Sequence, residues 1–343
     1  MPNPYAGLPD TAFWRRAVSG AETLDPVTAP RFGIVPSDRI ATAGSCFAQH
    51  IARALAARGV APLVTEDGPA ARGFGVYPAR FGNVYSPRQL LQLFRRAYAL
   101  FEPEEEAWTR PDGRLVDPFR PQVEPEGFAD PDALRADREA HLAAVRRMFE
   151  RCDVLVFTLG LTEAWESRRD GAVFPLAPGV VAAPEHDEIG FRNFTVAEMV
   201  ADLSAFLSQL RRVNPAVRIL LTVSPVPLIA TYEARHVLVS TVASKSALRV
   251  VADEITRADR GVDYFPSYEM IAGHPARGRW FERDLRAVSA EGVAMVMEVF
   301  CRHYLGGPAA PAPPARTADI PRRAAVEAAE LDAIICDEEA LDR

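Results

Sequence analysis

The sequence predicts an α/β protein: a three-layer sandwich with a central parallel sheet between two layers of helices. Two observations predict this fold class. Short apolar runs rich in β-branched residues, at 154–158 and 218–223, have the pattern of strands buried on both faces. Segments with helical spacing of apolar residues separate these runs. Strands that alternate with helices are joined most simply by right-handed crossovers, which make the sheet parallel.

The elements are predicted in a regular order along the chain. Strands are predicted at 39–43, 154–158, 218–223 and 262–265. Helices are predicted at 48–58, 87–100, 132–151, 196–212, 244–257 and 290–304, because apolar residues recur there every three or four positions. Residues 101–131 are rich in Pro, Glu and aromatic residues without periodicity, which is typical of an insertion or an active-site loop.

These elements predict one main domain with two extensions. Residues 1–38 read as an N-terminal arm, and residues 39–305 as the α/β domain with an insertion at about 101–150. Residues 306–343 begin as a Pro/Ala linker and end in an acidic helix. We expect this helix to dock on its own domain or, alternatively, to bind a protein partner.

Composition excludes several function classes. The 343 residues carry 39 Lys and Arg against 46 Asp and Glu, a formal net charge of −7, so an extended cationic surface for nucleic acid or anionic lipid is not expected. The longest dense apolar run, 154–161, is too short to cross a bilayer. The N-terminus shows no basic flank followed by an apolar segment, so we expect a cytoplasmic protein with reduced cysteines. No disulfide framework or metal site is predicted from the four cysteines.

Ligands of open parallel sheets lie at the carboxyl ends of the strands. Ser45 follows the first predicted strand and precedes a helix, where free N–H groups favour an anion and supply half of an oxyanion hole. Ser45 is therefore a candidate nucleophile, although Ser is also a preferred helix cap. Cys46 is a competing nucleophile, but its apolar neighbours indicate that it points into the core.

Several motifs together give a family resemblance. Residues 44–48 read Gly-Ser-Cys-Phe-Ala, and this chain is identified by them as a member of the GSCFA family, which is related to the SGNH/GDSL hydrolases. Further segments resemble family signatures over roughly 30–305: 81–85, 116–119, 157–165, 222–227, 244–246 and 264–269. The resemblance implies a flavodoxin-like SGNH fold. It also implies a serine-dependent acyl-ester hydrolase or acyltransferase acting on a small-molecule or carbohydrate-like substrate, with no cofactor or metal.

The resemblance also implies site residues. Ser45 would attack the acyl carbonyl, and the N–H groups of Ser45 and Gly82 would bind the oxyanion together with Thr162, which stands where the hydrolases have asparagine. Asn83 and Gly160 belong to the same predicted substrate-binding set. Glu163 is expected to support the site or to be a surface carboxylate.

The general base is the weakest part of the resemblance. SGNH hydrolases carry Asp-x-x-His before the last helix, whereas residues 284–287 here read Asp-Leu-Arg-Ala. His236 is the favoured substitute and His274 the second choice, with Asp284 orienting either one. If neither acts as a base, the chain is a non-catalytic SGNH-like protein that binds a ligand or partner.

Lys245 is the only lysine in the chain. It lies between Ser244 and Ser246 at the predicted start of a helix, where a cation opposes the helix dipole. We expect it to bind an anionic substrate group, to pair with Glu163 or Glu269, or to activate Ser45.

Overall fold

The structure is a computed structural model that describes residues 3–18, 20–60, 62–184, 188–306 and 337–342. The strands are β1 Ile40–Gly44, β2 Trp108–Thr109, β3 Leu115–Val116, β4 Val154–Leu159, β5 Glu163–Ser167, β6 Val173–Phe174, β7 Ile189–Asn193, β8 Arg218–Val223 and β9 Val262–Tyr264. The helices are α1 Trp14–Ala17, α2 Phe47–Ala56, α3 Pro87–Ala97, α4 Pro131–Arg151, α5 Val196–Val213, α6 Val237–Ala258, α7 Ser267–Ala272 and α8 Ala290–Tyr304.

The central sheet is parallel and has the order β1-β4-β8-β9. These are the four strands predicted from the sequence, so the predicted parallel α/β fold is confirmed. On the outer side of β1, Ile40 forms a parallel bridge with Pro62. Counting that bridge as a short second strand, the spatial order becomes 2-1-3-4-5, the order of flavodoxin-like folds.

Helices cover both faces of the sheet. Successive residues of each strand point to opposite faces, and both sets of side chains are apolar and buried. Ala43 and Phe157 face the larger core, which includes residues of α3, α4, α5 and α6. Ile40 and Val156 face the smaller core, which includes residues of α2, α7 and α8. Burial on both faces explains why these strands are continuous apolar runs in the sequence. Three layers result, as predicted.

One predicted helix begins several residues earlier than predicted, and two short helices, α1 and α7, were not predicted. Helix α6 begins at Val237, one residue after His236, and not at 244. The β-branched residues at its start disfavour a helix locally, but packing of its later turns against α5 and β8 overrides that preference. Helix α4 forms the later part of the segment predicted as an insertion, and it packs in the main core through residues such as Val145 and Met148.

Two smaller antiparallel sheets accompany the central sheet in the described residues. Strands β6-β5-β7 form an antiparallel sheet directly after β4, and β2 and β3 form an antiparallel pair within 101–130. Neither was predicted, since the short strands mix polar and apolar residues without clear alternation. Most of the predicted linker and acidic C-terminal helix lies outside the described residues.

The N-terminal arm runs along the far edge of the central sheet. The Arg31 guanidinium donates hydrogen bonds to the carbonyls of Thr256, Asp259 and Val262 around the start of β9. The Ile34 N–H donates to the carbonyl of Tyr304 at the end of α8. Within the described part of the chain, no helix combines the length and apolar character needed to cross a membrane.

Candidate active site

The turn between β1 and α2 places Ser45 at the carboxyl end of the sheet. Gly44 has φ +133°, and a Cβ atom built on it would lie 2.3 Å from the carbonyl oxygen of Thr158. Only glycine lets the chain pass this close to β4. The next N–H, that of Ser45, donates to the same Thr158 oxygen at 3.1 Å. The turn is thus fixed by its neighbouring strand.

The Ser45 hydroxyl is enclosed. The residue is 3% exposed, and its Oγ has no hydrogen-bond partner among the described residues. It does not cap α2, because the hydrogen bond to the Ala48 N–H is made by the Ser45 carbonyl oxygen. Cys46 is buried beside it, as the sequence predicts.

The segment after Tyr77 forms the second wall of the site. Gly82 has φ +70°, and two residues later the Val84 N–H donates to the Gly44 carbonyl at 2.9 Å. The Tyr77 hydroxyl donates to Asn83 Oδ1 at 2.8 Å and approaches the Ser45 carbonyl at 3.3 Å. The structure therefore brings the predicted pair Gly82 and Asn83 to the Ser45 turn, with Tyr77 between them.

Lys245 contacts the loop after β4. Its Nζ donates to the Gly160 carbonyl at 2.5 Å, and the residue is 3% exposed. The neighbouring Ser244 Oγ accepts from the Thr162 N–H at 3.1 Å. The prediction that Lys245 lies at a helix start is wrong: it lies in the third turn of α6, because that helix begins earlier. There it faces the sheet, and the helix dipole does not oppose it.

The carboxylates predicted to pair with Lys245 bind other groups. Glu163 Oε1 accepts from the Thr231 hydroxyl at 2.6 Å, and its Oε2 accepts from the Tyr232 N–H at 3.1 Å. Glu163 therefore connects the loops that follow β4 and β8. Glu269 forms an ion pair with Arg249 at 2.6 Å.

The predicted base and its orienting acid lie apart from Ser45. His236 is exposed and caps α6: its Nδ1 accepts from the Leu238 N–H at 3.1 Å. His274 is exposed and stacks on Trp14 with ring centroids 5.0 Å apart. Asp284 is exposed and uses Oδ1 to accept from the N–H groups of Arg286 and Ala287 in its own turn. No described imidazole comes within hydrogen-bonding distance of Ser45 Oγ.

A buried charged cluster that the sequence did not indicate lies behind Tyr77. Its cations are Arg80, Arg96, Arg120 and Arg138, which we call the arginine cluster. Its anions are Glu66, Asp117, Glu124 and Asp137. Arg120 bonds Asp117 at 3.0 Å and Asp137 at 2.8 Å, and Arg138 bonds Asp117 at 3.3 Å. Arg80 also binds Asp137. The sequence feature that could have indicated this cluster is Asp117, an acidic residue in an otherwise apolar short run.

Burial and charge shift the titration of this cluster. Although burial opposes ionisation of Asp117, the guanidinium groups of Arg120 and Arg138 hold its pKa far below the usual range. His141 contacts Glu66 through Nδ1 at 2.7 Å, and burial lowers its pKa to about 4. Burial opposes ionisation of Glu66 too, but the His141 contact lowers its pKa to about 2. Glu66 is therefore ionised and His141 neutral at pH 7.

Two clefts adjoin these groups. One encloses about 600 Å³, including solvent at its mouth, and is lined by Tyr77, Arg80, Gly82 and Arg120 among others. A narrower cavity on the other side of Arg120 is lined by Asn83, Arg96 and apolar side chains. Among the described residues, no group of three or more His, Cys, Asp or Glu side chains is arranged to hold a metal ion.

Comparison with known proteins yields one match. The model of the GSCFA family matches residues 39–300, which is most of the chain and includes β1, the Ser45 turn and most of α8. No curated protein and no solved structure matches the chain.

Proposed function

This chain belongs to the GSCFA family, and we propose that it binds a small-molecule or carbohydrate-like ligand without cleaving it. It would then be an SGNH-like scaffold used for recognition. The observation that carries the proposal is the Ser45 hydroxyl, which is 3% exposed and has no proton acceptor among the described residues. A serine hydroxyl without a neighbouring base remains protonated and is a weak nucleophile at neutral pH.

The hydrogen bonding of His236 supports this proposal. In a neutral imidazole only one ring nitrogen can accept a proton. The Nδ1 of His236 already accepts the Leu238 N–H, which places the ring proton on Nε2. To act as a base, His236 would have to give up the cap of α6. Ala287, at the position where the resemblance expects histidine, has no group that could replace it.

The predicted oxyanion hole supports the same conclusion. The Ser45 N–H would have to point at the developing oxyanion in a hydrolase. In this chain that N–H donates to the Thr158 carbonyl. One of the donors that stabilises the transition state of acyl transfer is therefore already used inside the sheet.

We place the ligand in the cleft that adjoins Gly82. This cleft is lined by apolar side chains such as Val76 and by residues that carry polar groups, among them Tyr77 and Arg80. Concave sites with apolar walls and a few fixed polar groups are typical of small-molecule binding.

A serine acyl hydrolase or acyltransferase is the second candidate, and one observation favours it. A buried hydroxyl without a hydrogen bond is destabilising unless a partner is supplied. Ser45 Oγ is such a hydroxyl, and an incoming substrate or a displaced histidine would supply its partner.

The test is a comparison of binding and turnover in wild type and Ser45→Ala. We would measure saturable binding of an acetylated monosaccharide by calorimetry and release of acetate by nuclear magnetic resonance. The proposal expects binding in both proteins and equal, background acetate release. Acetate release by wild type above the Ser45→Ala level would reject it in favour of the hydrolase.

A variant of the cleft wall provides the control for binding. Val76→Trp fills the cleft without touching Ser45, so it should abolish binding if the ligand lies there. Val64→Trp, at an exposed side chain on the same segment, should bind as wild type does.

Compartment and protein partners remain proposals as well. We propose the cytoplasm, where Cys46, Cys152 and Cys301, which form no disulfide among the described residues, would stay reduced. A protein partner for the acidic C-terminal segment also remains a proposal, because most of that segment lies outside the described residues.

A further inference from the structure

Arg96 is a buried cation that bonds to no carboxylate among the described residues. It lies in the last turn of α3 and is 7% exposed. Its guanidinium stacks on Phe119, with Cζ 3.6 Å from the ring centroid. It forms no ion pair and no side-chain hydrogen bond with any described residue, and its buried Nη2 is unpaired. A buried charge without a partner is strongly destabilising, so a native protein normally supplies one.

The charges around Arg96 do not supply that partner. Four carboxylates face the arginine cluster, those of Glu66, Asp117, Asp137 and Glu124, and among the described residues none of them bonds to Arg96. Asp117 lies between Arg120 and Arg138 and bonds to both of them. Burial lowers the pKa of Arg96 to about 9, so the guanidinium is still charged at neutral pH. Arg96 is therefore the member of the arginine cluster that has no carboxylate bonded to it among the described residues, although Asp117 attracts it at longer range.

The space beside Arg96 is suited to a small organic anion. Arg96 and Arg120 both line the narrow cavity, and the buried Nη1 of Arg120 also lacks a hydrogen-bond partner in the described part of the chain. The remaining walls are largely apolar, with Phe81, Leu93 and Val173 among them. A cavity with guanidinium donors and apolar walls matches a carboxylate attached to a short apolar chain.

A carboxylate is less favoured on the other side of Arg96 than in the narrow cavity, which we call the inner cavity. On that other side, Arg96 and Phe119 border an outer cleft that is also lined by two further arginines, Arg135 and Arg138, and by four glutamates, Glu102, Glu105, Glu106 and Glu139. Like charges close together repel, so a carboxylate is less stable in that outer cleft than in the inner cavity.

We propose that the inner cavity is a binding site for a short aliphatic carboxylate, held by Arg96 and Arg120 with its apolar chain against Phe81, Leu93 and Val173. Stacking on Phe119 fixes the plane of the Arg96 guanidinium, so its donors are oriented before the ligand arrives. The site is separate from Ser45 and does not depend on whether Ser45 is reactive.

The experiment is thermal unfolding of the full chain in sodium propionate, with sodium chloride replaced mole for mole to keep the ionic strength constant. At a propionate concentration about a hundredfold above the dissociation constant, the melting temperature of wild type should rise by about 4 °C. Arg96→Gln should lose this rise. Arg95→Gln, at the neighbouring half-buried position where the guanidinium contacts Gln209, should keep it.

Isothermal titration of folded wild type with propionate provides a measurement that does not depend on any variant folding. Saturable heat with about one site per chain supports the site. No saturable binding and an unchanged melting temperature would overturn it. An equal rise in Arg96→Gln would overturn it too, because the anion would then bind elsewhere. A rise with inorganic phosphate but not with propionate would overturn the assignment to an aliphatic carboxylate.

Discussion

The Ser45 turn and the arginine cluster lie on either side of Tyr77 and differ in how their polar groups are used. Around Ser45, most groups that could act on a ligand bind the chain itself: the Ser45 N–H binds Thr158, Lys245 binds Gly160 and Glu163 binds the 231–232 loop. In the arginine cluster, the buried Nη2 of Arg96 has no hydrogen-bond partner among the residues that the structure describes. The unpaired groups therefore differ in kind among the described residues: a neutral hydroxyl, that of Ser45, in the region with the recognisable motif, and charged guanidinium groups, those of Arg96 and Arg120, in the region without one.

This difference separates the role of a motif in folding from its role in chemistry. Gly44, Gly82 and Gly160 allow three chain segments to pass within hydrogen-bonding distance of one another, and this holds whether or not Ser45 reacts. Available chemistry depends instead on which buried groups lack partners, and a motif does not report that.

The largest effect is expected at the Ser45 turn. Gly44→Ala would place Cβ 2.3 Å from the Thr158 carbonyl at φ +133°, so we expect a loss of more than about 5 kcal/mol of stability, or no folding. Gly59→Ala is the control, because φ is +76° but no atom lies within 4 Å of the new Cβ; it should cost about 1 kcal/mol. Chemical denaturation measures both. Similar losses would show that the turn is not tightly held.

The arginine cluster is tested next by removing a charge that it needs. Asp117 is fully buried between Arg120 and Arg138. Asp117→Asn removes the negative charge that both guanidinium groups share, so it should lower the free energy of unfolding by about 3–5 kcal/mol. Asp112→Asn, at an exposed carboxylate paired with Arg110, should change the free energy of unfolding by less than about 1 kcal/mol. Equal effects in the two variants would contradict the cluster's electrostatic role.

Acid should weaken the cluster through His141. Burial lowers the pKa of His141 from 6.5 to about 4, so between these values the unfolded chain binds a proton that the native state does not. The contribution of neutral His141 to the free energy of unfolding is therefore complete above pH 6.5. It decreases by about 3 kcal/mol as the pH falls to 4.

The free energy of unfolding measured from pH 7 to pH 4 checks this effect. His50, whose pKa is also lowered to about 4 by burial, adds a loss in the same window. His141→Gln should flatten the pH dependence, and an unchanged slope in that variant would assign it to other groups. Below pH 4.5, protonation of Glu66 in the unfolded chain adds a further loss, because its native pKa is about 2.

The smallest effect is expected at Lys245. Lys245→Met removes the donor to the Gly160 carbonyl and leaves that oxygen without this hydrogen bond, at a cost of about 1–3 kcal/mol. Lys245→Arg keeps the charge but places a larger planar group in a 3% exposed site, so it should not restore stability fully. Wild-type stability in both variants would show that the Lys245 contact has no structural role.

Much of the fold could be predicted because its strands are buried on both faces. Val154–Leu159 and Arg218–Val223 are continuous apolar runs, and their neighbours have clear helical spacing. The start of α6 could not be predicted, since Val237, Val239 and Val242 favour strands locally and His236 is an unusual cap. The β5–β7 sheet is short, and its strands are only partly buried, so periodicity gives little signal.

The candidate site was predictable in its backbone and less so in its side chains. The turn at Gly44, the Gly82 segment and the Gly160 loop meet where the sequence places them. The partners of Lys245 and the isolation of His236 depend on contacts between distant segments. Arg96 resembles a surface arginine in the sequence, and it becomes buried only because residues around Phe119 fold against α3.

The proposal that Ser45 is not an activated nucleophile is tested most directly by labelling folded wild type with a fluorophosphonate, which reacts with activated serines. Peptide mapping then identifies the labelled residue. Because Ser45 Oγ has no proton acceptor among the described residues, we expect the same background labelling in wild type and in Ser45→Ala. Stoichiometric, time-dependent modification of Ser45 in wild type would contradict it and show that this chain is a serine hydrolase.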